Sequence, residues 1–232
     1  MNTKIFCDIA DISSIKKFNN KSIVKGFTTN PSLMRKAGAK DYKSYSKKIL
    51  KSCKNKPISL EVFADDEREI FKQAKKINSW GKNVFVKIPV TNTNGDFMGG
   101  VLKELSSEGI PLNITAMMTS EQVYQVMNVT EQNCPLIFSV FAGRIADTGR
   151  DPVSCMKECL GIISSNSNAE LLWASPRELY NIFQANEIGC HIITVGDSIL
   201  DKIGLIGKNL DEYSLETVVT FFEDAKASGF EL

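Results

Sequence analysis

Residues 84–114 read VFVKIPVTNTNGDFMGGVLKELSSEGIPLNI, and this stretch shows the unit from which the fold is built. Two short apolar runs, Val84–Ile88 and Ile110–Ile114, predict strands. Between them, apolar residues recur at positions 98, 101, 102 and 105, which is the i, i+3, i+4, i+7 spacing of one helix face. Strand, helix and strand in this order predict a unit with two parallel strands.

The same alternation continues along the whole chain. The predicted strands are rich in Val, Ile and Phe and apolar on both faces of the pleat, which is typical of a parallel sheet covered on both sides. They are Ile5–Ile9, Ser22–Phe27, Ile58–Phe63, Val84–Ile88, Ile110–Ile114, Leu136–Val140, Glu170–Trp173 and His191–Val195. Eight strands, each followed by a helical stretch, predict a (β/α)8 TIM barrel that forms a single α/β domain over residues 1–232, with a C-terminal helix. The alternative, an open doubly wound sheet, requires a GxGxxG or GxxxxGKS/T phosphate loop, and the sequence contains neither.

Local signals mark where several helices begin. Thr119 with Gln122 predicts a capping box, and Asp151 before Pro152 predicts an N-cap. The segment from Ser175 to Glu178 combines Ser, Pro and Glu in the order that predicts an N-cap at Ser175.

Two further helices are predicted from apolar spacing. The Lys-rich stretch Lys36–Lys56 is interpreted as one helix with a solvated face. The last helix is predicted to follow Ser214 and to end at Gly229. Its apolar stripe includes Phe221 and Phe222, which fit either core packing or contact with another subunit.

Composition excludes several classes of protein. The chain has 28 Lys and Arg against 27 Asp and Glu, a balance that argues against a dedicated nucleic-acid or anionic-membrane binder. Hydrophobic residues make up 43%, enough for a full core. There is no apolar run of roughly 18 residues and no secretory signal pattern. The six cysteines lack a CxxC pair, so we expect reduced, mostly buried thiols in a cytoplasmic protein.

In a barrel of this type the chemistry lies at the C-terminal ends of the strands. Lys87 lies there, inside an apolar run, where burial penalises its ammonium and favours the free amine that a Schiff-base nucleophile needs. Alternatively, Lys87 extends to solvent or pairs with Glu61. Asp8 is a general acid or base, an N-cap, or a buried partner of Lys87. Glu61 is likewise either a general acid or base or a structural ion-pair partner of Lys87.

An anion site is predicted near the seventh strand. The helix N-terminus expected at Ser175, together with Arg177 and Arg144, has the free N–H groups and the positive charge to hold a phosphate, although Arg177 is equally explained as an exposed residue. His191, the single histidine, is interpreted as a core residue, and no clustered Cys/His spacing points to a metal. Trp173 is interpreted as a packing residue.

Six segments resemble the transaldolase family, in the order in which that family shows them. The resemblance covers nearly the whole chain, and the length is similar to the small subfamily that also contains the fructose-6-phosphate aldolases. The segments are Phe6–Asp8, Gly26–Leu33, Val86–Pro89, Asn113–Thr115, Phe141–Ile145 and Ala174–Arg177.

The resemblance implies a metal-free and cofactor-free class I aldol mechanism in the pentose phosphate pathway. Lys87 forms a Schiff base with a ketose phosphate, Asp8 moves the C4 hydroxyl proton, and Glu61 and Thr115 hold the water of imine formation. The remaining implied positions bind substrate: Thr29, Asn30, Asn113, Ser139, Phe141, Arg144, Ser175 and Arg177. The last three match the phosphate site of the family.

Two positions distinguish enzymes that transfer a dihydroxyacetone unit to an acceptor from enzymes that release it as free dihydroxyacetone. Within the resemblance, Phe141 and Glu61 match the transaldolases, whereas the free aldolases usually carry Tyr and Gln. Transfer of a dihydroxyacetone unit is therefore favoured over release of free dihydroxyacetone. The segments around Phe141 and after Arg144 depart from the usual pattern and border the acceptor pocket, so another anionic-ended ketose remains an alternative. A non-catalytic sugar-phosphate-binding barrel is the alternative from another class. The resemblance also implies a homo-oligomer, with a pentameric or decameric ring as one form, and neither nucleic acid nor membrane as a partner.

Overall fold

The structure, a computed structural model, describes residues 1–231 and contains a closed barrel of eight parallel strands in that range. They are β1 (Lys4–Asp8), β2 (Val24–Thr28), β3 (Ile58–Glu61), β4 (Val84–Pro89), β5 (Leu112–Met117), β6 (Leu136–Val140), β7 (Ala169–Trp173) and β8 (Ile192–Val195). Each strand pairs with the next in chain order, and β1 closes the barrel on β8, with Ile5 opposite Ile193. The predicted (β/α)8 barrel is confirmed.

Helices alternate with these strands and cover the outside of the barrel, except for the last, α11, which buries none of its side chains. In the described range they are α1 (Ile12–Asn19), α2 (Pro31–Lys36), α3 (Tyr42–Cys53), α4 (Glu67–Asn78), α5 (Gly99–Ser107), α6 (Ser120–Val129), α7 (Ala142–Asp147), α8 (Pro152–Ile163), α9 (Tyr180–Glu187), α10 (Asp197–Leu200) and α11 (Leu210–Ser228), with a 3-10 turn at Asp201–Leu205. Over residues 1–231, none of them combines the length and the apolar character that a membrane crossing requires.

The strand bounds differ from prediction where tertiary pairing decides them. β6 has the predicted bounds, but Ile110 lies outside β5, and β5 continues to Met117. Its start is set by the pairing of Leu112 with neighbours on both sides. An irregularity follows Ile114, where Ala116 adopts a left-handed φ of 63°. Hydrophobicity shows that a strand exists, whereas its ends depend on the register of its neighbours.

Two predicted helix starts are confirmed and one long helix is wrong. Thr119 and Gln122 form the capping box, and Asp151 accepts a hydrogen bond from the backbone N–H of Val153. The predicted helix over Lys36–Lys56 is broken after α2, where Gly38 adopts a left-handed φ of 80°. A new helix, α3, then begins, and the side chain of its own N-cap residue accepts a hydrogen bond from the first turn.

The start predicted at Ser214 is also wrong. Asn209 caps α11, with its side-chain oxygen accepting from the N–H groups of Asp211 and Glu212. Gly229 ends the helix in the left-handed region at φ 66°, as predicted. α11 buries none of its side chains within the described residues; Phe221 and Phe222 are 68% and 69% exposed. Packing of this stripe into the core of its own chain is therefore excluded.

Apolar side chains fill the middle of the barrel interior. Phe6, Ile137, Leu172 and Ile192 are buried together and contact Phe85; we call these five residues the apolar plug. The ring of Phe6 lies against β2 at residue 26, where a Cβ atom would approach it to 2.5 Å, so glycine is required there. Alternate residues face the same side of a strand. The residues two positions further toward the C-terminal ends therefore also point inward and lie directly above the plug.

The cysteines and Trp173 lie where the sequence predicted. All six cysteines are free, and Cys155 is partly exposed while the other five are buried. Trp173 is completely buried, and its indole N–H has no hydrogen-bond partner within residues 1–231.

Candidate active site

A cavity of about 180 Å³ opens at the C-terminal ends of the strands, and we call it the top cavity. It lies above the apolar plug, and side chains from seven strand ends and the loops after them reach it. Its lining residues are Asp8, Thr28, Asn30, Lys87, Thr115, Ser139, Phe141, Arg144, Ala174, Ser175 and Thr194. Eight of the twelve residues predicted for the site are among them.

Lys87 and Glu61 form a buried ion pair beside this cavity. They are register partners on β4 and β3, and Lys87 Nζ lies 2.8 Å from Glu61 Oε2. Lys87 is 8% exposed, and its Nζ also donates to the backbone carbonyl oxygen of Thr29 at 3.2 Å. Burying both charges is costly, so this pair is weak evidence for stability. Of the alternatives left open by the sequence, solvent extension of Lys87 is wrong and pairing with Glu61 is correct.

Asp8 is a second buried charge on the same rim. Its Oδ1 accepts a hydrogen bond of 2.7 Å from the Thr28 hydroxyl, which is 2.6 Å from the Thr194 hydroxyl. Burial raises the pKa of Asp8, while the positive charge of Lys87 and the Thr28 hydrogen bond act in the opposite direction. The side chain that caps α1 is Asp11, so the N-cap interpretation of Asp8 is wrong. A carboxyl group held in this way is suited to exchanging a proton with a ligand.

Hydroxyl and amide groups cover the wall beyond Lys87. Asn113 accepts a 2.6 Å hydrogen bond from Ser139 and donates one of 2.8 Å to Ser59, so it lies behind Ser139 and not on the cavity surface. Thr115 is 3% exposed, and its hydroxyl has no hydrogen-bond partner among residues 1–231. An unsatisfied buried hydroxyl that faces a cavity is positioned to bind a water molecule or a substrate oxygen.

On β2 and the loop after it, the two predicted residues differ in role. Thr29 turns its hydroxyl away from the cavity, to the carbonyl oxygen of Ser59 at 3.1 Å, and contributes its backbone carbonyl to Lys87. The Asn30 side-chain oxygen accepts from the N–H of Leu33 and caps α2. Asn30 also lines the cavity, and its amide NH2 group is not used in capping.

The outer rim is formed by residues that follow β6 and β7. Phe141 is half-buried, and the guanidinium of Arg144 lies 5.1 Å from its ring centroid. Ser175 adopts a left-handed φ of 59°, and its carbonyl oxygen lies where a Cβ on Gly143 would be, at 1.6 Å. The absence of that side chain lets the two segments meet and holds Ser175 and Arg144 on one edge of the cavity.

The predicted N-cap at Ser175 is wrong, and Arg177 does not line the cavity. α9 begins at Tyr180, and the Asn181 side chain accepts from the backbone N–H groups of Arg177 and Glu178. The Arg177 guanidinium instead forms a bidentate pair with Asp147, with Nε 2.9 Å from Oδ1. The helix N-terminus predicted at Ser175 therefore does not form, and of the three residues predicted to hold a phosphate, Arg144 and Ser175 line the cavity.

Three lining residues were missed from the sequence. Thr28 and Thr194 flank Asp8 from the neighbouring strands, and Ala174 follows β7. Neither threonine is ionisable, and the signal that could have identified Thr194 is its place as the one polar residue in the apolar strand β8. In residues 1–231, no three or more His, Cys, Asp or Glu side chains are grouped so as to bind a metal ion.

A second cavity, of about 390 Å³, lies at the opposite end of the barrel, where β6, β7 and β8 begin; we call it the bottom cavity. It is lined by Pro135, Ile163, Ser164, Asn166, Ser167, Asn168, Ala169, Glu170 and His191. His191 is half-buried at the edge of this cavity, so its assignment to the core is wrong. Its Nδ1 accepts from the N–H of Leu171 at 3.1 Å, and burial lowers its pKa.

Comparison with known proteins places this chain in a family. The family model described as "Transaldolase/Fructose-6-phosphate aldolase" matches residues 5–232. The chain belongs to this family. A "Probable transaldolase" from Nitrosopumilus maritimus (strain SCM1) is 33% identical over 228 residues, which is 97% of this chain and 96% of that protein. A "Probable transaldolase" from Streptococcus equi subsp. zooepidemicus (strain MGCS10565) is 34% identical over 224 residues, or 95% and 97%.

Solved structures show the fold alone. The crystal structure of a 3-hexulose-6-phosphate synthase has a TM-score of 0.59 at 12% identity, and the match covers 87% of this chain and 92% of that one. This transaldolase-family chain therefore shares its barrel with enzymes of very different sequence, and its activity has to be argued from its own site.

Proposed function

We propose that this transaldolase-family enzyme transfers a dihydroxyacetone unit from a ketose phosphate to an aldose phosphate through a Schiff base on Lys87. Sedoheptulose 7-phosphate and fructose 6-phosphate are the proposed donors. The observation that carries the proposal is the position of the Lys87 amine: buried, 2.8 Å from a carboxylate, and facing the top cavity. A lysine in such surroundings is the nucleophile that imine chemistry requires.

The first step forms the imine. Lys87 passes a proton to Glu61 and its free amine attacks the C2 carbonyl of the ketose. The carbinolamine then loses water as the C=N bond forms, with Glu61 and the unpaired hydroxyl of Thr115 exchanging protons with that water. The resulting protonated imine withdraws electrons from the C3–C4 bond.

Asp8 performs the carbon–carbon step. Its carboxylate removes the proton of the C4 hydroxyl, the C3–C4 bond breaks, and an aldehyde leaves while an enamine stays on Lys87. The enamine then attacks the aldehyde carbon of the acceptor, and Asp8 returns its proton to the new hydroxyl. Hydrolysis of the imine releases the product. The raised pKa of Asp8 supports this role, since a group that both takes and gives a proton works best with a pKa moved toward neutrality.

Phe141 favours transfer over release. Its apolar ring borders the cavity under Arg144 and supplies no hydroxyl that would protonate the enamine. Arg144 and Ser175 form the polar edge suited to the anionic end of the sugar. Carbohydrate metabolism in the cytoplasm, through the pentose phosphate pathway, is the proposed setting.

Borohydride trapping tests the covalent step. With fructose 6-phosphate, reduction is expected to add the mass of the reduced donor fragment to Lys87, and Lys87→Ala is expected to lose the adduct together with activity, on the order of 10⁴-fold or more. Lys4→Ala is the matched control, because Lys4 also lies on a barrel strand and pairs with a glutamate, Glu170 at 2.6 Å, but at the opposite end. A folded Lys87→Ala protein that keeps the adduct disproves the proposal. Failure of wild-type enzyme to form any adduct favours the non-catalytic binding barrel.

A second assay separates transfer from release. Free dihydroxyacetone is measured with and without glyceraldehyde 3-phosphate as acceptor. We expect slow release and fast transfer. Release as fast as transfer identifies a fructose-6-phosphate aldolase, the activity that the family description also names.

We also propose that a second copy of this chain covers α11. The sequence resemblance implies a homo-oligomer, and the exposed apolar residues of α11 support it, since isolated apolar stripes of this size are unfavourable in water. Light scattering is expected to show an oligomer for the full chain and a smaller species for a chain ending at Asn209. A monomeric full chain disproves this part without affecting the chemistry at Lys87.

A further inference from the structure

Two buried threonine hydroxyls meet beside the Asp8 carboxyl and have no part in the chemistry proposed above. Thr28 on β2 is the register partner of Asp8, and Thr194 on β8 is the register partner of Phe6, the inward residue before Asp8. Thr28 is 2% exposed and Thr194 is 5% exposed. Their hydroxyl oxygens lie 2.6 Å apart, so the pair bridges the inner face of β1 from the strands on either side.

The direction of these hydrogen bonds follows from the number of protons available. Asp8 takes a proton in the proposed carbon–carbon step and is therefore ionised when the ketose binds. Its Oδ1 can then only accept, and the 2.7 Å hydrogen bond from Thr28 uses the one hydroxyl proton of Thr28. The bond between the two hydroxyls must be donated by Thr194. The result is a chain in which Thr194 donates to Thr28 and Thr28 donates to Asp8.

This chain acts on one oxygen of the carboxyl group and leaves the other for a ligand. Oδ1 of Asp8 is bonded to Thr28, whereas Oδ2 accepts no hydrogen bond from residues 1–231, and Asp8 lines the top cavity. A hydroxyl that itself accepts a hydrogen bond is a stronger donor, so Thr194 strengthens the bond from Thr28. Bonds to an ionised acceptor are stronger than neutral ones, so the chain favours the carboxylate form of Asp8.

The threonine pair is a neutral support beside one nearby charge. Burial raises the pKa of Asp8, and the positive charge of Lys87 and the Thr28 hydrogen bond act in the opposite direction. β8 contains no charged residue, and Lys25, the charged residue of β2, is exposed on the outer face of its strand. Removing a hydroxyl of the pair therefore changes the support of Asp8 without changing the charges around it.

We propose that Thr194 is a positioning residue for the transfer reaction: acting through Thr28, it holds the Asp8 carboxylate with Oδ2 available to the C4 hydroxyl of the ketose. This inference rests on the proposed function, because it concerns the carbon–carbon step. In that step Oδ2 takes the C4 hydroxyl proton and the C3–C4 bond breaks. Its electron pair becomes the C2–C3 double bond of the enamine, and the imine π electrons move to the nitrogen of Lys87. The threonine protons stay on their own oxygens.

Thr194→Val replaces the hydroxyl by a methyl group of similar size. With sedoheptulose 7-phosphate as donor and glyceraldehyde 3-phosphate as acceptor, we expect kcat to fall about 3- to 10-fold with little change in KM. The acid limb of the pH profile of kcat/KM is expected to move to higher pH, because the ionised form of Asp8 loses support. Thr194→Ser keeps the hydroxyl and is expected to restore both. An unchanged kcat and pH profile in folded Thr194→Val overturns the proposal.

Borohydride trapping with dihydroxyacetone separates this inference from the proposed function. Dihydroxyacetone forms an imine on Lys87 without any carbon–carbon cleavage, so we expect the wild-type amount of adduct in Thr194→Val. No adduct in the wild-type enzyme disproves the proposed function and this inference with it. A wild-type adduct combined with normal transfer in Thr194→Val disproves this inference alone. Loss of the adduct in Thr194→Val shows a general distortion of the site and also overturns it.

A double variant tests whether Thr194 acts through Thr28. Thr28→Val is expected to lower kcat more than Thr194→Val, and adding the second change to the first is expected to alter kcat by less than about 2-fold. Independent, multiplying losses contradict the chain. If Thr194→Val does not fold, Thr194→Ala removes the same hydroxyl and is judged by the same outcomes.

Thr3→Val is the matched control. Thr3 is also buried, and its hydroxyl donates to the carbonyl oxygen of Cys190 at 2.7 Å, at the opposite end of the barrel. We expect Thr3→Val to keep the wild-type kcat and pH profile. Equal losses in Thr3→Val and Thr194→Val would show that removing any buried hydroxyl has this effect, and the proposal would then be wrong.

Discussion

The two ends of the barrel each carry a polar cavity, and the smaller one has the properties of an active site. The bottom cavity is about 390 Å³ and the top cavity about 180 Å³. At the bottom, His191 satisfies the Leu171 N–H and Glu170 pairs with Lys4 at a largely exposed position. At the top, an ion pair and a carboxyl group are buried. The difference shows that desolvated charge, and not cavity size, marks the site.

Backbone conformation does not separate the two ends, but the apolar plug does. Ala116, near the end of β5, and Ser175, after β7, are non-glycine residues with positive φ at the top, and Lys54, in the loop before β3, is another at the bottom. The apolar plug lies between the two ends in the register of the strands, so the charges above it are closed off from water below. The top of the barrel therefore holds the Lys87–Glu61 ion pair away from solvent, whereas the Lys4–Glu170 pair at the bottom is more exposed.

After Lys87→Ala, the largest effect is expected for Asp8→Asn. Loss of the proton carrier is expected to lower kcat by about 10²- to 10⁴-fold. Because burial raises the pKa of Asp8 above 3.8, the folded state binds its proton more tightly than the unfolded state, and stability falls as pH rises through that pKa. Asp8→Asn is therefore expected to be more stable than wild type at pH 7, and this gain is expected to vanish below about pH 3.8.

Thermal unfolding at several pH values checks whether Asp8→Asn is more stable than wild type at neutral pH. Asp11→Asn is the control, since hydrogen bonds from Ser13 and Ser14 lower the pKa of Asp11 and no such gain is expected. A neutral-pH loss of stability in Asp8→Asn contradicts the account of Asp8 as a strained buried charge.

Gly143→Ala tests the packing of the top edge. Its new Cβ would meet the Ser175 carbonyl oxygen at 1.6 Å, and relief of this overlap is expected to cost about 2–3 kcal/mol and to raise KM. Gly161→Ala, on α8 beside the bottom cavity, meets no atom within 4 Å in the described structure and is expected to stabilise by about 1 kcal/mol. Urea unfolding measures both; equal effects would remove the distinction between the two ends.

Asp147→Asn tests whether the ion pair with Asp147 keeps Arg177 out of the top cavity. Loss of the Asp147 charge releases Arg177, and we expect KM for a phosphorylated acceptor to fall about 2- to 5-fold, in line with the modest energy of an exposed pair. An unphosphorylated acceptor such as glyceraldehyde is the control and should not change. A rise in KM would show instead that Asp147 holds Arg177 in its working position.

The smallest effect is expected at the bottom cavity. Since the pKa of His191 is lowered by burial, stability is expected to fall as pH drops below the ordinary value of 6.5. His191→Asn keeps an acceptor near Nδ1 and is expected to lose this acid sensitivity, whereas His191→Ala is expected to lose about 1 kcal/mol near neutral pH, where wild type has its full stability. Activity is expected to remain at the wild-type level in both variants. A large loss of kcat would instead assign chemistry to the bottom cavity.

Prediction from sequence succeeded where the signal was local or periodic. The eight strands, the capping box at Thr119 and the buried position of Lys87 all follow from apolar spacing and from a charge inside an apolar run. It failed at Ser175, where the Ser-Pro-x-Glu pattern is that of an N-cap, because packing against Gly143 holds the backbone in a conformation that no local pattern shows.

The sequence by itself determined the barrel and the residue types available for catalysis, because strand periodicity and a charged residue in an apolar run are properties of short segments. The family followed from the six segments that resemble it. Only the tertiary structure decided which of these residues meet. It joined Lys87 to Glu61, set Asn113 behind Ser139 and turned Arg177 toward Asp147. Such pairings depend on strand register and on loop paths between distant segments, and neither is encoded in any one stretch of chain.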